Sequence, residues 1–331
     1  RSRPRTAAEE KGLTVALNGF LDIELSVKNP DELGSFWERH GFIRTSDGVY
    51  GTVDRPTVMT IKEGDHRHLS AMHFSCAAER DITDIAKRLE GLGVASLATS
   101  TTLECTDPVL GHTIRIDVGA PAPVAAPAPL AANRPDNRTR WNSRAASIDP
   151  SKRRPPRRLG HVVLGSPQIE KSLAFYFDGL GFRISDQFAG ATATFGRVET
   201  DHHNLLIHRA RVGFLNHYAL EVDDFDSVGE NGTAVLNERP DSHIVGVGRH
   251  LVGSNIFWYL RDPSGSMFEF FADMDHINDD EHWANNERRT NWGAPESPAP
   301  VEAWGPPATG IFGAAPDIEE IAQARAKRGL P

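Results

Sequence analysis

Three residues in the second half of the chain have side chains that commonly bind metals, and each lies in a short apolar stretch typical of a β-strand. His161 lies in LGHVVLG, His217 in LNHYALEV and Glu269 in MFEFFAD. If these stretches are strands of one curved sheet, the alternation of side chains can turn all three to the same face. Two imidazoles and one carboxylate on one side of a metal leave the other side open. That arrangement is typical of non-haem Fe(II) sites that bind substrate and O2 together.

Each of the three residues has a simpler explanation when it is considered alone. His161 could be a hydrogen-bonded histidine of the core, and His217 could face solvent. Glu269 is harder to explain, because its neighbours Phe268 and Phe270 are apolar. Such a carboxylate either points outward by alternation or binds a cation. Taken together, the three residues predict a metal site.

The elements that would position these residues occur twice in the chain. The stretches FLDIELSVKNPDELGSFWERHGFIRT and LGHVVLGSPQIEKSLAFYFDGLGFRISD each indicate a strand, a turn with proline, an amphipathic helix and a second strand. Ile169, Leu173 and Phe177 recur every four residues, which gives the second helix one apolar face. Gly181 is placed to end that helix, as Gly41 is in the first copy. We therefore predict an α+β fold of tandem βαβββ modules that form two half-barrel domains.

The first copy lacks the three candidate ligands. At the corresponding positions stand Asp22 or a neighbour, Ala71 and Arg115. The sequence therefore predicts one working site, in the second copy, and one structural copy.

The repeats divide the chain into five parts. We expect an N-terminal tail (1–16), a metal-free module (17–119), a linker (120–157), a catalytic metal-binding module (158–276) and a C-terminal tail (277–331). The linker contains PAPVAAPAPLAANRP and ends in SKRRPPRR. Its alternating prolines favour an extended chain, and we expect its basic end to be a solvated or inter-subunit arm.

Composition excludes several classes of protein. The 331 residues are 39% hydrophobic and 24% charged, with a formal net charge of −9. This acidic balance argues against nucleic acid or an anionic membrane as the main partner. Cys76 and Cys105 are too few for a disulfide framework. The absence of a long apolar run or signal-like segment favours a cytoplasmic protein.

One stretch is similar to a known family. GVGRHLVGSNIFWYLRDPSGSMFEFFADMD, residues 246–275, has His250, then Tyr259 nine residues later, then Glu269 ten residues after that. This spacing resembles that of the two-domain extradiol catechol dioxygenases of the vicinal oxygen chelate superfamily. The resemblance covers about residues 17–118 and 158–275. The family also has an active-site histidine between its two ligand histidines, and His203 in DHHN matches it.

The resemblance implies a function. It implies an enzyme that opens a catechol-type aromatic ring with O2 at Fe(II), with Mn(II) as an alternative metal. It assigns His203 as the acid/base, Tyr259 as the hydrogen-bond partner of the deprotonated substrate oxygen, and His250 as a stabiliser of the bound anion. Relatives of this kind are commonly homo-oligomers.

Two other classes in the superfamily stay open as alternatives: a glyoxalase-type isomerase and a small-molecule-binding resistance protein. The first typically assembles four ligands, and the second would lack the triad. No role is assigned to His202, His208 or His243. An apolar aromatic ring as substrate is suggested by Phe188, Trp258, Phe270 and the tail tryptophans Trp283, Trp292 and Trp304.

Overall fold

The computed structural model describes residues 17–121, 131–290, 302–313 and 315–331. The expected N-terminal tail (1–16), part of the Ala/Pro-rich linker (122–130) and Trp292 lie outside the described residues. Among the described helices, none has the length and apolarity needed to cross a membrane.

Each module is built from eight strands. Those of the first module are β1 Leu17–Val27, β2 Ile43–Ser46, β3 Val49–Gly51, β4 Met59–Glu63, β5 His68–Cys76, β6 Ser96–Ala98, β7 Thr102–Thr106 and β8 Thr113–Val118. Those of the second are β9 Arg158–Ser166, β10 Arg183–Gln187, β11 Ala193–Arg197, β12 Leu205–Arg209, β13 Phe214–Glu221, β14 His243–His250, β15 Ile256–Arg261 and β16 Met267–Ala272. The longer helices are Pro30–Arg39, Glu79–Gly91, Phe225–Glu238 and Ile318–Lys327.

The two sheets have the same topology. Their strand orders are β2-β3-β4-β1-β5-β8-β7-β6 and β10-β11-β12-β9-β13-β16-β15-β14, and the second sheet is extended by the tail strand β17, Glu302–Trp304. Each half of each sheet is one βαβββ unit whose last strand returns beside its first. The predicted α+β fold of tandem βαβββ modules is therefore confirmed.

Glycine ends the first helix of both modules. Gly41 and Gly181 have φ values of 97° and 91°, in the left-handed region that favours glycine. The second module departs from the predicted regular helix. Its α-helix covers only Ile169–Leu173 and continues as a π-helical segment, Ala174–Leu180.

A shared hydrophobic core joins the backs of the two sheets. Trp37, on the first helix of module one, is fully buried. Its ring lies 5.0 Å from that of Phe268 and 6.4 Å from that of Phe270, measured between centroids. Both phenylalanines are on β16, so the first module covers the back of the strand that carries Glu269.

The basic end of the linker lies against the protein, which differs from the expected solvated or inter-subunit arm. Arg154 makes a bidentate pair with Asp224, at 2.6 and 2.9 Å. Arg157 contacts Asp54 of the first module at 2.9 Å and Asp223 of the second at 3.3 Å. Acidic groups brought together by folding therefore fix this segment between the modules.

We expect Trp37→Ala to lower the free energy of unfolding by about 3–5 kcal/mol, because it leaves a cavity between the modules. Urea unfolding followed by circular dichroism measures the change. The control is Trp141→Ala, since Trp141 is 74% exposed and its loss should change stability by less than ~0.5 kcal/mol. Equal midpoints for the two variants would contradict the shared core.

Candidate metal centre and its pocket

Strand register places the three candidate ligands on one face of the second sheet. Ala219 on β13 lies opposite His161 on β9 and opposite Glu269 on β16. His217 is two residues from Ala219 on the same strand, so it points the same way. The small side chain of Ala219 leaves room between the three larger ones.

The three side chains converge and are buried. One ligand atom from each of them lies within 4.8 Å of the other two. Nε2 of His161 is 3.1 Å from Oε2 of Glu269, and Nε2 of His217 is 3.4 Å from the same oxygen. Exposure is 1%, 2% and 0% for His161, His217 and Glu269.

The electrostatics of this cluster suit a divalent metal. Burial lowers the pKa of His161 to about 3 and that of His217 to about 4, so both imidazoles are neutral at neutral pH. Burial raises the pKa of Glu269, because its charged form is poorly solvated there. Nε2 of His217 is buried and has no hydrogen-bond partner among the described residues. A cation at the centre would give that lone pair and the carboxylate a partner, so the donor set fits the metal.

Two asparagines that sequence reasoning missed orient the cluster. Oδ1 of Asn216 accepts a hydrogen bond from Nδ1 of His217 at 2.7 Å, which leaves the lone pair of a neutral His217 on Nε2, the candidate ligand atom. The amide of Asn216 donates to the carbonyl of Ile311 in the tail at 2.7 Å. Asn255 donates to Oε1 of Glu269 at 2.9 Å. The position of Asn216 directly before His217 was the available signal.

The residues assigned by resemblance surround the same centre. The rings of His203 and His161 are 4.3 Å apart between centroids. Nε2 of His250 is 2.8 Å from the hydroxyl of Tyr259. Tyr259 is the cross-strand neighbour of Glu269, and burial raises its pKa well above 10, so the hydroxyl keeps its proton. All six candidate residues therefore line one pocket.

The rest of the pocket is mostly apolar. Its apolar side is formed by Val163, Phe188, Phe195, Leu206 and Val252, and the space between its walls, including the part open to solvent, is about 390 Å³. Such an apolar side suits the ring of a planar, partly apolar molecule.

Of the described aromatic residues expected near the substrate, Phe188 lines the pocket, whereas Trp258, Phe270, Trp283 and Trp304 do not. Phe270 points into the shared core, and Trp258 is on the core face of β15 because its neighbour Tyr259 faces the pocket. Among the unassigned histidines, His243 is exposed and pairs with Trp258, whereas His208 is buried and bonds the carbonyl of Arg209. The unassigned His202 contacts His203 directly.

The first module has different residues at the positions that correspond to the candidate metal site. His73 occupies the position of Ala219, and Asp22 and Arg115 lie opposite it, where the second module has His161 and Glu269. His73 bridges Asp22 at 3.0 Å and Asp117 at 2.9 Å. Despite the opposing effect of burial, these carboxylates raise the pKa of His73. Ion pairs therefore hold this face of the first sheet together.

The chain is similar to known proteins in both sequence and fold. Residues 158–270 match the model of the Glyoxalase/Bleomycin resistance protein/Dioxygenase superfamily. The chain is 30% identical over 227 residues to metapyrocatechase 2 of Cupriavidus necator, covering 67% of this chain and 69% of that protein. It is 30% identical over 161 residues to the iron-dependent extradiol dioxygenase of Rhodococcus jostii, covering 44% and 50% of the two chains. Homoprotocatechuate 2,3-dioxygenase of Arthrobacter globiformis has the same fold, with a TM-score of 0.68 at 15% identity over 92% of each chain.

The chain therefore belongs to the extradiol dioxygenases of this superfamily. The members of that family are ring-cleaving oxidoreductases, so the protein is an enzyme, and the resemblance inferred from the residue spacing is confirmed.

We expect Asn216→Leu to weaken metal binding about 10- to 100-fold, because His217 loses the acceptor that fixes its tautomer. A competition titration of Fe(II) against a chelator, under anaerobic conditions, measures the affinity. The control is Asn18→Leu, which removes an amide that bonds Ser75 and Gly119 in the first module. Unchanged affinity in Asn216→Leu would show that the asparagine does not support the ligand.

Proposed function

We propose that the enzyme opens a substituted catechol with O2 at an Fe(II) ion held by His161, His217 and Glu269. The observation that carries this proposal is the convergence of two neutral imidazoles and one buried carboxylate on a single pocket. Iron is favoured over manganese because the similar extradiol dioxygenase of Rhodococcus jostii is iron-dependent. The ion, when bound, would bring both substrates to adjacent open positions and carry electrons from the ring to oxygen.

The proposed substrate follows from the shape of the pocket. Phe188 and Phe195 form an apolar wall on the side where β10 to β12 lie. A diol directed at the ligands would place its ring against that wall, and its ring substituent could extend past Val252. Both atoms of O2 enter the product, and the carbon–carbon bond beside the diol breaks.

His203 is proposed to move the substrate proton. Burial, followed by the neighbouring His161, lowers the pKa of His203 well below its usual value. It is therefore a neutral imidazole that can accept a proton from a catechol hydroxyl and return it later. Its position over the ring of His161 is within the pocket.

Tyr259 and His250 are proposed to hold the deprotonated substrate oxygen. The phenol of Tyr259 keeps its proton and would donate a hydrogen bond to this substrate oxygen. Nε2 of His250 lies 2.8 Å from the phenol oxygen of Tyr259. Donors placed where negative charge develops stabilise the transition state more than the ground state.

Anaerobic reconstitution with Fe(II), followed by O2 and a panel of catechols, tests the activity. We expect yellow ring-opened product from 3-methylcatechol or 2,3-dihydroxybiphenyl. His217→Ala and Glu269→Gln should abolish both iron binding and product formation. Stoichiometric iron without turnover on any diol would contradict the proposed reaction, and failure to bind iron would contradict the ligand assignment.

We expect Tyr259→Phe to lower kcat about 10- to 100-fold, since it removes a hydrogen bond to a charged oxygen worth about 1.5–3 kcal/mol. Bound iron should stay unchanged, because the phenol is outside the ligand set. Tyr50→Phe, at a buried tyrosine of the first module, is the control. A wild-type kcat in Tyr259→Phe would remove this residue from the mechanism.

A further inference from the structure

His202 connects the proposed acid/base to a buried carboxylate. Its side chain is 0% exposed. Nε2 of His202 is 2.8 Å from Oδ2 of Asp186, and Nδ1 of His202 is 3.1 Å from Nδ1 of His203. Asp186, His202 and His203 therefore form one continuous line that ends in the pocket.

The carboxylate of Asp186, at one end of this hydrogen-bonded line, determines which ring nitrogens of His202 and His203 carry a proton. A carboxylate accepts hydrogen bonds and cannot donate them, so Nε2 of His202 must donate to Asp186. Nδ1 of a neutral His202 is then an acceptor, and Nδ1 of His203 donates to it. In a neutral His203 this leaves the lone pair on Nε2, the nitrogen needed to accept a substrate proton.

Neighbouring residues enclose Asp186 and His202. Oδ1 of Asp186 accepts the backbone N–H of Arg289 at 2.5 Å. The ring of Trp283 covers His202 at 5.6 Å between centroids, and its indole N–H bonds the carbonyl of Ser185. The ring of Phe195 lies 5.5 Å away on the pocket side. Residues of the C-terminal tail thus complete an enclosure around His202.

We propose that His202 and Asp186 are positioning residues that hold His203 in one ring orientation and one tautomer during ring opening. This inference rests on the proposed role of His203. Neither positioning residue needs to touch the substrate. Their loss should therefore slow turnover without weakening substrate or metal binding.

Steady-state kinetics of the Fe(II)-loaded enzyme with 2,3-dihydroxybiphenyl and O2 test the proposal. We expect His202→Phe to lower kcat about 10- to 100-fold, the usual loss for an outer partner of an active-site histidine, with unchanged KM and bound iron. His202→Gln should restore most of kcat, because its carboxamide can accept from His203 and donate to Asp186. His202→Phe should have no further effect in a His203→Phe background, since His202 acts only through His203.

The first module supplies the control. His73→Phe removes an imidazole that is held between two carboxylates of the first module and does not line the pocket, so its kcat should equal that of the wild type. If His202→Phe does not fold, Asp186→Asn replaces it, because an amide can donate as well as accept and no longer fixes the direction of the line. A loss of kcat that vanishes in the His203→Phe background then supports the proposal.

Three results would overturn the inference. The first is a wild-type kcat in His202→Phe, or in Asp186→Asn where that variant replaces it. The second is a loss of kcat that is fully additive with the loss in His203→Phe. The third is a kcat in His202→Gln that is as low as in His202→Phe. If His203→Phe itself keeps the wild-type kcat, the proposed function of His203 fails. If His203→Phe is inactive while His202→Phe is normal, only the inference about His202 fails.

Discussion

The burial of the Glu269 carboxylate is the constraint on which the rest of the second module depends. A charged carboxylate removed from water is costly unless it is hydrogen-bonded and paired with positive charge. Its strand cannot move outward, because Phe268 and Phe270 are fixed in the core on the other face. The amide of Asn255 satisfies one oxygen, and the two imidazole nitrogens nearest the other are neutral. A cation bound between the three side chains would supply the positive charge that stabilises this carboxylate.

The duplicated module explains how such a site stays rigid. The first helix of module one supplies Trp37 and Phe36 to the back of β16, so the position of this strand is set by packing between the modules. The corresponding face of the first sheet has ion pairs around His73. The first module therefore supports the shape of the second, which carries the three candidate ligands.

The elements of the site that could be predicted from the sequence are those that depend on local periodicity. Alternation in β9, β13 and β16 predicted that the three candidate ligands share one face, and the spacing of His250, Tyr259 and Glu269 identified the family. The supporting residues depend on contacts between distant parts of the chain. Asn216 bonds a carbonyl 95 residues away, and His202 depends on Asp186, 16 residues before it. The basic linker was misjudged for the same reason, since the carboxylates that bind Arg154 and Arg157 are assembled only by folding.

Anomalous diffraction at the iron edge, from crystals grown anaerobically with Fe(II), shows directly whether His161, His217 and Glu269 hold iron. We expect one strong anomalous peak per chain, in contact with Nε2 of His161, Nε2 of His217 and a carboxylate oxygen of Glu269. The first module should show no peak near Asp22, His73 and Asp117. A peak in the first module alone, or iron bound without Glu269, would contradict the account.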